Sequence, residues 1–178
     1  MNGYPVPEEL RSARLRLIPM TPAFIQAVLD GRKAEAEGLS GVVIPDGWPD
    51  DDDRYLHMWL KDMIDAPQFA KWRARVLVPV EGEARMIGHA GFHGPPNDDG
   101  MAEMGYTIFP EFRGRGLATE AAQRLMAFAK ENGATLIRAS VSPDNAPSLA
   151  MTRKLGLVQI GEQMDEIDGL ELVFERPL

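Results

Sequence analysis

Arg113-Gly114-Arg115-Gly116-Leu117-Ala118 is the run of this chain best suited to holding a phosphate. It follows an apolar, strand-like stretch, Met104–Pro110, and opens an Ala-rich helical stretch that continues to about Lys130. A strand, a glycine-broken turn and a helix N-terminus leave several backbone N–H groups without partners, and the helix dipole adds partial positive charge. Glycines at 114 and 116 allow positive φ and a close approach of backbone to an anion.

Two familiar phosphate turns do not fit. A P-loop needs Gly-Lys-Ser/Thr, but Leu117 and Ala118 follow Gly116. A dinucleotide fingerprint needs a third Gly or Ala where Thr119 sits, and an early position in a doubly wound fold. This turn comes late in the chain.

The elements that position the turn follow from periodicity. Ala13–Met20 alternates apolar and polar residues and predicts a half-buried strand. Thr21-Pro22 is a helix start leading into Phe24–Leu29. Gly38–Pro49 reads as a loop carrying Trp48, and the aspartates from Asp50 cap a second helix through about Ile64. Period two returns in Arg75–Val80 and Ala84–Phe92, joined by Glu81-Gly82-Glu83, and again in Met101–Phe109 after the turn-rich His93–Gly100. The helix after the glycine turn carries an apolar stripe at Ala118, Ala121, Ala122, Leu125, Phe128 and Ala129. Leu136–Val141 then runs parallel to the strand before that helix, as a crossover requires. A short helix, Ala146–Leu155, and a hairpin, Leu157–Gln163 with Leu170–Phe174, close the chain. There are no repeats or linkers, so residues 1–178 read as one domain.

Composition narrows the chemistry. The 178 residues include no Cys, which excludes disulfides, thiol nucleophiles and Cys-ligated metals. The formal net charge of -8 argues against nucleic-acid binding. No signal peptide or membrane-spanning run is legible, so a cytoplasmic protein without membrane partners is expected. No spacing among His57, His89 and His93 suggests a metal site.

The order of these pieces resembles the GNAT N-acetyltransferase superfamily, whose pyrophosphate loop reads Gln/Arg-x-x-Gly-x-Gly/Ala; here it is Arg113-x-x-Gly116-x-Ala118. Glu103-Met-Gly-Tyr106 before the loop, Asn145-Ala-Pro-Ser148 after it and Lys154-Leu-Gly-Leu157 beyond resemble the branch that includes the ribosomal-protein N-terminal acetyltransferases. The resemblance implies an α/β (α+β) fold: a mixed, mostly antiparallel sheet of about seven strands flanked by helices and splayed at two parallel central strands. It implies acetyl-CoA as co-substrate, with no metal. Backbone groups of Ile108 and Phe109 would pair with the pantetheine arm, and Arg113, Gly114, Arg115, Gly116, Leu117, Ala118 and Thr119 would hold the pyrophosphate. Asn145 would meet the pantetheine, and Arg153 or Lys154 the adenosine phosphate. A homodimer is consistent with the family.

Acetyl transfer from a thioester to an amine needs a neutral amine, a donor to the developing oxyanion, and a proton for the thiolate. Without Cys, direct attack in a ternary complex is expected, with a backbone N–H near Ile108 meeting the oxyanion. Many members of the superfamily use a Tyr near the last helix as acid. Tyr occurs here only at 4, 55 and 106, so Ser148 is the candidate acid. Glu103 is the first candidate base, followed by His89, His93 or water. An α-amine with pKa about 7.7–8.0 is already roughly a tenth neutral at pH 7, at a cost near 1.4 kcal/mol, whereas a lysine amine costs over about 4 kcal/mol. A weak base therefore favours a protein or peptide N-terminus. Polyamines and aminoglycoside-like amines are the alternative acceptors, and a non-catalytic acyl-CoA-binding module is the alternative role. Specificity would come from Gly38–Trp48, the first two helices, Gly94–Asp99 and the last hairpin, with Trp48, Trp59, Phe92 and the acids at 50–53 and 98–99.

Overall fold

Residues 6–50 and 54–178 are described by the computed structural model. Strands β1 (Leu10–Arg11) and β2 (Leu15–Pro19) lead into helices α1 (Pro22–Leu29), α2 (Lys33–Ser40) and α3 (Arg54–Asp65). A meander follows: β3 (Arg75–Pro79), β4 (Gly88–Phe92) and β5 (Met101–Ile108). Then come α4 (Leu117–Glu131), β6 (Leu136–Val141), α5 (Ala146–Lys154), β7 (Val158–Asp165) and β8 (Gly169–Pro177). One sheet results, in the order β1-β2-β3-β4-β5-β6-β8-β7, with β5–β6 its parallel pair.

Each face of that sheet buries its own core. Against α4 and α5 lie Leu15, Leu17, Leu77, Ile87, Ala102, Met104, Ile108 and Ile137. The α4 stripe fills this layer as its spacing predicts, through Ala121, Ala122, Leu125, Phe128 and Ala129. The opposite face packs Val76, Val78 and Met86 under Phe24, Ile25 and Val28 of α1 and Leu56, Leu60 and Met63 of α3. Thr21 caps α1 as expected, its hydroxyl accepting the Phe24 N–H at 3.2 Å.

The expected α/β sheet, mostly antiparallel with one parallel central pair and flanked by helices, is present with eight strands, the short Leu10–Arg11 pairing with β2. Three expectations are corrected. Helix α2 occupies part of the expected loop; Gly38 inside it and its polar, weakly striped sequence hid it. The strand expected from Ala84 begins only at Gly88, and Arg85 instead makes an isolated bridge to Val43. The last hairpin extends to Asp165 and Pro177, beyond the expected Gln163 and Phe174, and its second strand joins β6. Asp51–Asp53, expected to cap the second helix, lie outside the described residues. Among the described residues no helix is long and apolar enough to cross a membrane.

Candidate active site

The parallel ladder between β5 and β6 has three pairs, Met101↔Leu136, Ala102↔Ile137 and Glu103↔Arg138. Beyond Glu103 the strands part: β5 stays with β4 to Ile108, and β6 stays with β8 to Val141. Backbone direction alternates along β5. Glu103 O accepts from His93 N at 2.9 Å, and Phe109 N donates to Ile87 O at 2.9 Å, so the odd residues face β4. Tyr106 and Ile108 therefore present their backbone groups to the opening.

This alternation bears on the expectation that Phe109 pairs with a pantetheine arm: its N–H is turned to Ile87 O, away from the opening, and its carbonyl accepts from Phe112 N at 2.9 Å. Ile108 faces the opening, and its carbonyl accepts from Arg113 Nε at 2.8 Å.

The glycine turn is built as the sequence implies. Gly114 and Gly116 have φ of 75° and 74°, a region that side chains with a Cβ rarely adopt. Gly116 caps α4 with no side-chain hydrogen bond, so the N–H groups of Leu117, Ala118 and Thr119 open outward from the helix end. The two arginines brace the turn. Arg113 reaches Ile108 O, while Arg115 donates to Glu111 O at 3.2 Å and lies over the Phe112 ring at 5.7 Å. An open groove of about 620 Å³ runs along α4 from Arg14, Gly116 and Thr119 to Arg124 and Lys154.

At the head of α5, Asn145 accepts the Ser148 N–H at 3.2 Å and caps the helix. The Ser148 side chain is set against the Tyr106 phenol. The Tyr106 hydroxyl is buried without a well-formed hydrogen bond, and burial holds its pKa above the ordinary phenol value while Ser148 pulls it down. Sequence reasoning set Tyr106 aside as the acid because it does not lie near the last helix. Its signal was present in the β5 alternation, which sends Met104, Tyr106 and Ile108 to the α4–α5 face.

Glu103 points to the other face, so the candidate base and Ser148 stand on opposite sides of the sheet. Its side chain is 18% exposed, and Oε1 accepts the Ser140 hydroxyl at 2.5 Å. Gln163 Nε2 donates to Ser140 Oγ at 3.2 Å and to Glu171 Oε2 at 3.0 Å. Oε2 of Glu103 lies 3.8 Å from His93 Nδ1, and a Cβ on Gly105 would meet His93 Nε2 at 3.4 Å. The imidazole thus covers Gly105 beside the opening.

His89 is not brought to this group. It is enclosed by Tyr55 at 5.7 Å, Trp59 at 5.7 Å and Trp48 at 6.3 Å between ring centroids. Burial pushes its imidazole down to about 4, so it is neutral at pH 7 and too weak a base for the role suggested for it. Of the aromatics expected at the acceptor side, Trp48 and Trp59 line this cluster, and Phe92 is core beside Trp72 and Phe128. Lys154 is exposed at the far side of the α4 groove.

The family description "Acetyltransferase (GNAT) domain" matches residues 14–158. An N-acetyltransferase of Bacillus licheniformis of uncharacterised role, p20, is 31% identical over 88 residues, 49% of each chain, so the match spans about half of that relative's length. Among solved structures, the ribosomal L7/L12 alpha-N-protein acetyltransferase RimL superposes with a TM-score of 0.65 at 17% identity, covering 100% of this chain and 98% of RimL. RimL has also been solved with coenzyme A. The microcin C7 self-immunity acetyltransferase MccE, in complex with acetyl-CoA and AMP, superposes with a TM-score of 0.63 at 15% identity over 94% of each chain.

Proposed function

The chain belongs to the GNAT acetyltransferase family, and on that premise we propose that it carries the acetyl group of acetyl-CoA to a primary amine, with a protein or peptide N-terminal α-amine as preferred acceptor. The observation that carries this reading is the parting of β5 and β6 one residue beyond Glu103. An extended thioester arm lying in that gap reaches the acceptor face, where Glu103 stands, from the α4–α5 face, where the glycine turn stands.

The donor would be held by the outward N–H groups from Arg113 to Thr119 around the pyrophosphate, by Ile108 along the arm, by Asn145 near its middle and by Lys154 at the nucleotide end. Two positive-φ glycines and an uncapped helix end support that fit. On the acceptor face Glu103 takes the amine proton, directly or through water, as nitrogen attacks the thioester carbon. The C–N bond forms, the C–S bond breaks, and the Ile108 N–H meets the oxygen on which charge develops.

The departing thiolate, with pKa near 8.5, needs stabilisation more than outright protonation. An ordinary phenol near 10 is uphill of it by about 2 kcal/mol, Tyr106, raised by burial, by more, and an alkyl hydroxyl by far more. Tyr106 therefore gives the stronger hydrogen bond to sulfur, with Ser148 polarising it. RimL, whose acceptor is a protein N-terminus, supports the choice of acceptor, and the cytoplasm is where such acceptors and acetyl-CoA meet.

The test is thiol release from acetyl-CoA with three acceptor sets: peptides with free N-termini, the same peptides N-terminally blocked but carrying lysine, and polyamines or aminoglycosides. Release with the first set alone is expected at pH 7. Preference for the other sets would shift the acceptor class, and tight CoA binding with no release from any would make the chain a binding module.

A further inference from the structure

We propose that Arg14 is a positioning residue for the nucleotide half of coenzyme A, acting by locking the Arg115–Gly116 peptide of the glycine turn; this rests on the acetyl-CoA reading above. Arg14 lies in the turn between β1 and β2, about a hundred residues from the loop it touches. Its Nη1 donates to the Arg115 carbonyl at 3.0 Å. Its Nε and backbone N–H donate to Glu120 Oε2 at 2.6 Å and Oε1 at 2.7 Å, and Ser12 Oγ donates to Oε1 at 2.7 Å. Glu120 belongs to the first turn of α4, and its own N–H returns to Gly116 O at 3.1 Å. One guanidinium thus ties the loop carbonyl to the helix that starts two residues later.

The loop needs such a tie. A Cβ on Gly114 would meet nothing within 4 Å, and at Gly116 only Arg14 Nη2, at 3.6 Å. Arg115 is held through its own side chain by Glu111 O and the Phe112 ring, but only Arg14 packs on the two positive-φ glycines beside it, and Gly116 lowers the cost of turning over the Arg115–Gly116 peptide. A trans amide is planar, so holding the Arg115 oxygen toward Arg14 sends the Gly116 N–H the opposite way. A reversed peptide would exchange that donor for a carbonyl oxygen, which repels an anion. Stability alone does not account for the arrangement: the Arg14 side chain is 53% exposed, and exposed ion pairs contribute little to folding.

The test compares the intact protein with Arg14→Ala and Arg14→Lys on three donors: acetyl-CoA, its 3′-dephospho form, and S-acetylpantetheine, which lacks both nucleotide and pyrophosphate. Arg14→Ala is expected to raise KM for the first two alike, by about tenfold, as for loss of a charged hydrogen bond. Saturated kcat and kcat/KM for S-acetylpantetheine stay within about twofold. Arg14→Lys cannot bond Glu120 and Arg115 together and gives an intermediate rise. An unchanged acetyl-CoA KM overturns the proposal. So does an equal loss on S-acetylpantetheine, which marks a merely structural role, or a loss absent with the 3′-dephospho donor, which marks direct contact with that phosphate. If Arg14→Ala does not fold, Glu120→Gln gives the same readout. If the unaltered protein turns over none of the donors, the functional reading fails, and calorimetric CoA binding by the same variants decides the clasp.

Discussion

The two faces of the sheet solve the same problem in opposite ways. On the α4–α5 face the proposed donor site is mostly one continuous run, from Tyr106 through the glycine turn to Thr119, with α5 adding Asn145 and Ser148. On the opposite face the proposed acceptor site comes from distant segments, His93 after β4, Glu103 on β5, Ser140 on β6, and Gln163 and Glu171 on the last hairpin, beside an aromatic cluster of Trp48, Tyr55 and Trp59 that encloses His89. The first depends on local backbone conformation and needs glycine in two places. The second depends on strand register and on packing between segments far apart in the chain.

If the acceptor face is a packed, dry scaffold, its largest signature is pH-dependent stability through His89. The folded imidazole, near 4, binds fewer protons than the unfolded one near 6.5. Stability is therefore complete above about pH 6.5 and declines as pH falls toward 4, by up to about 3 kcal/mol. Urea melts between pH 4 and 7 measure the slope, and His89→Asn flattens it. A wild-type slope already flat would mean the cluster is wet, and the contrast between faces would weaken. Next in size is Glu103→Gln, which should lower kcat by about a hundredfold with acetyl-CoA KM nearly unchanged. Steady-state kinetics that moved both parameters together would show that the two faces do not divide donor from acceptor.

This contrast also explains what could be read in advance. The glycine turn, the α4 stripe and the parallel crossover were legible because each is a property of consecutive residues. Phe109 is not separable from Ile108 in sequence, because only the one-residue alternation of the strand sends its N–H to Ile87 instead of the opening. His89 and His93 looked equivalent in sequence; three aromatic rings enclose one, while the other lies over Gly105 beside Glu103. Arg14 was legible only as part of an alternating strand, since its partner, the Arg115 carbonyl, has no side-chain identity to read.

On the donor face, Gly116→Val tests whether local conformation is the controlling feature. A β-branched residue at φ 74° costs about 1–2 kcal/mol or more in strain. Its Cβ would also come within 3.6 Å of Arg14 Nη2. Acetyl-CoA affinity should fall about tenfold or more by calorimetry, while KM for the amine stays put. A matching loss of amine affinity would mean that the turn organises both substrates.

The smallest expected effect bears on the seam between the faces. Tyr106→Phe removes a hydroxyl that lacks a well-formed hydrogen bond in the free protein, so melting temperature should hold or rise slightly. If that hydroxyl meets sulfur only as the C–S bond breaks, kcat falls about tenfold and acetyl-CoA KM does not move. Ser148→Ala, one step further from sulfur, should lower kcat by less, and adding it to Tyr106→Phe should change little more. Additive losses would instead give each hydroxyl its own contact with the leaving group. The order of the two single effects therefore decides whether the strand or the helix supplies the hydrogen bond that lets the thiol leave.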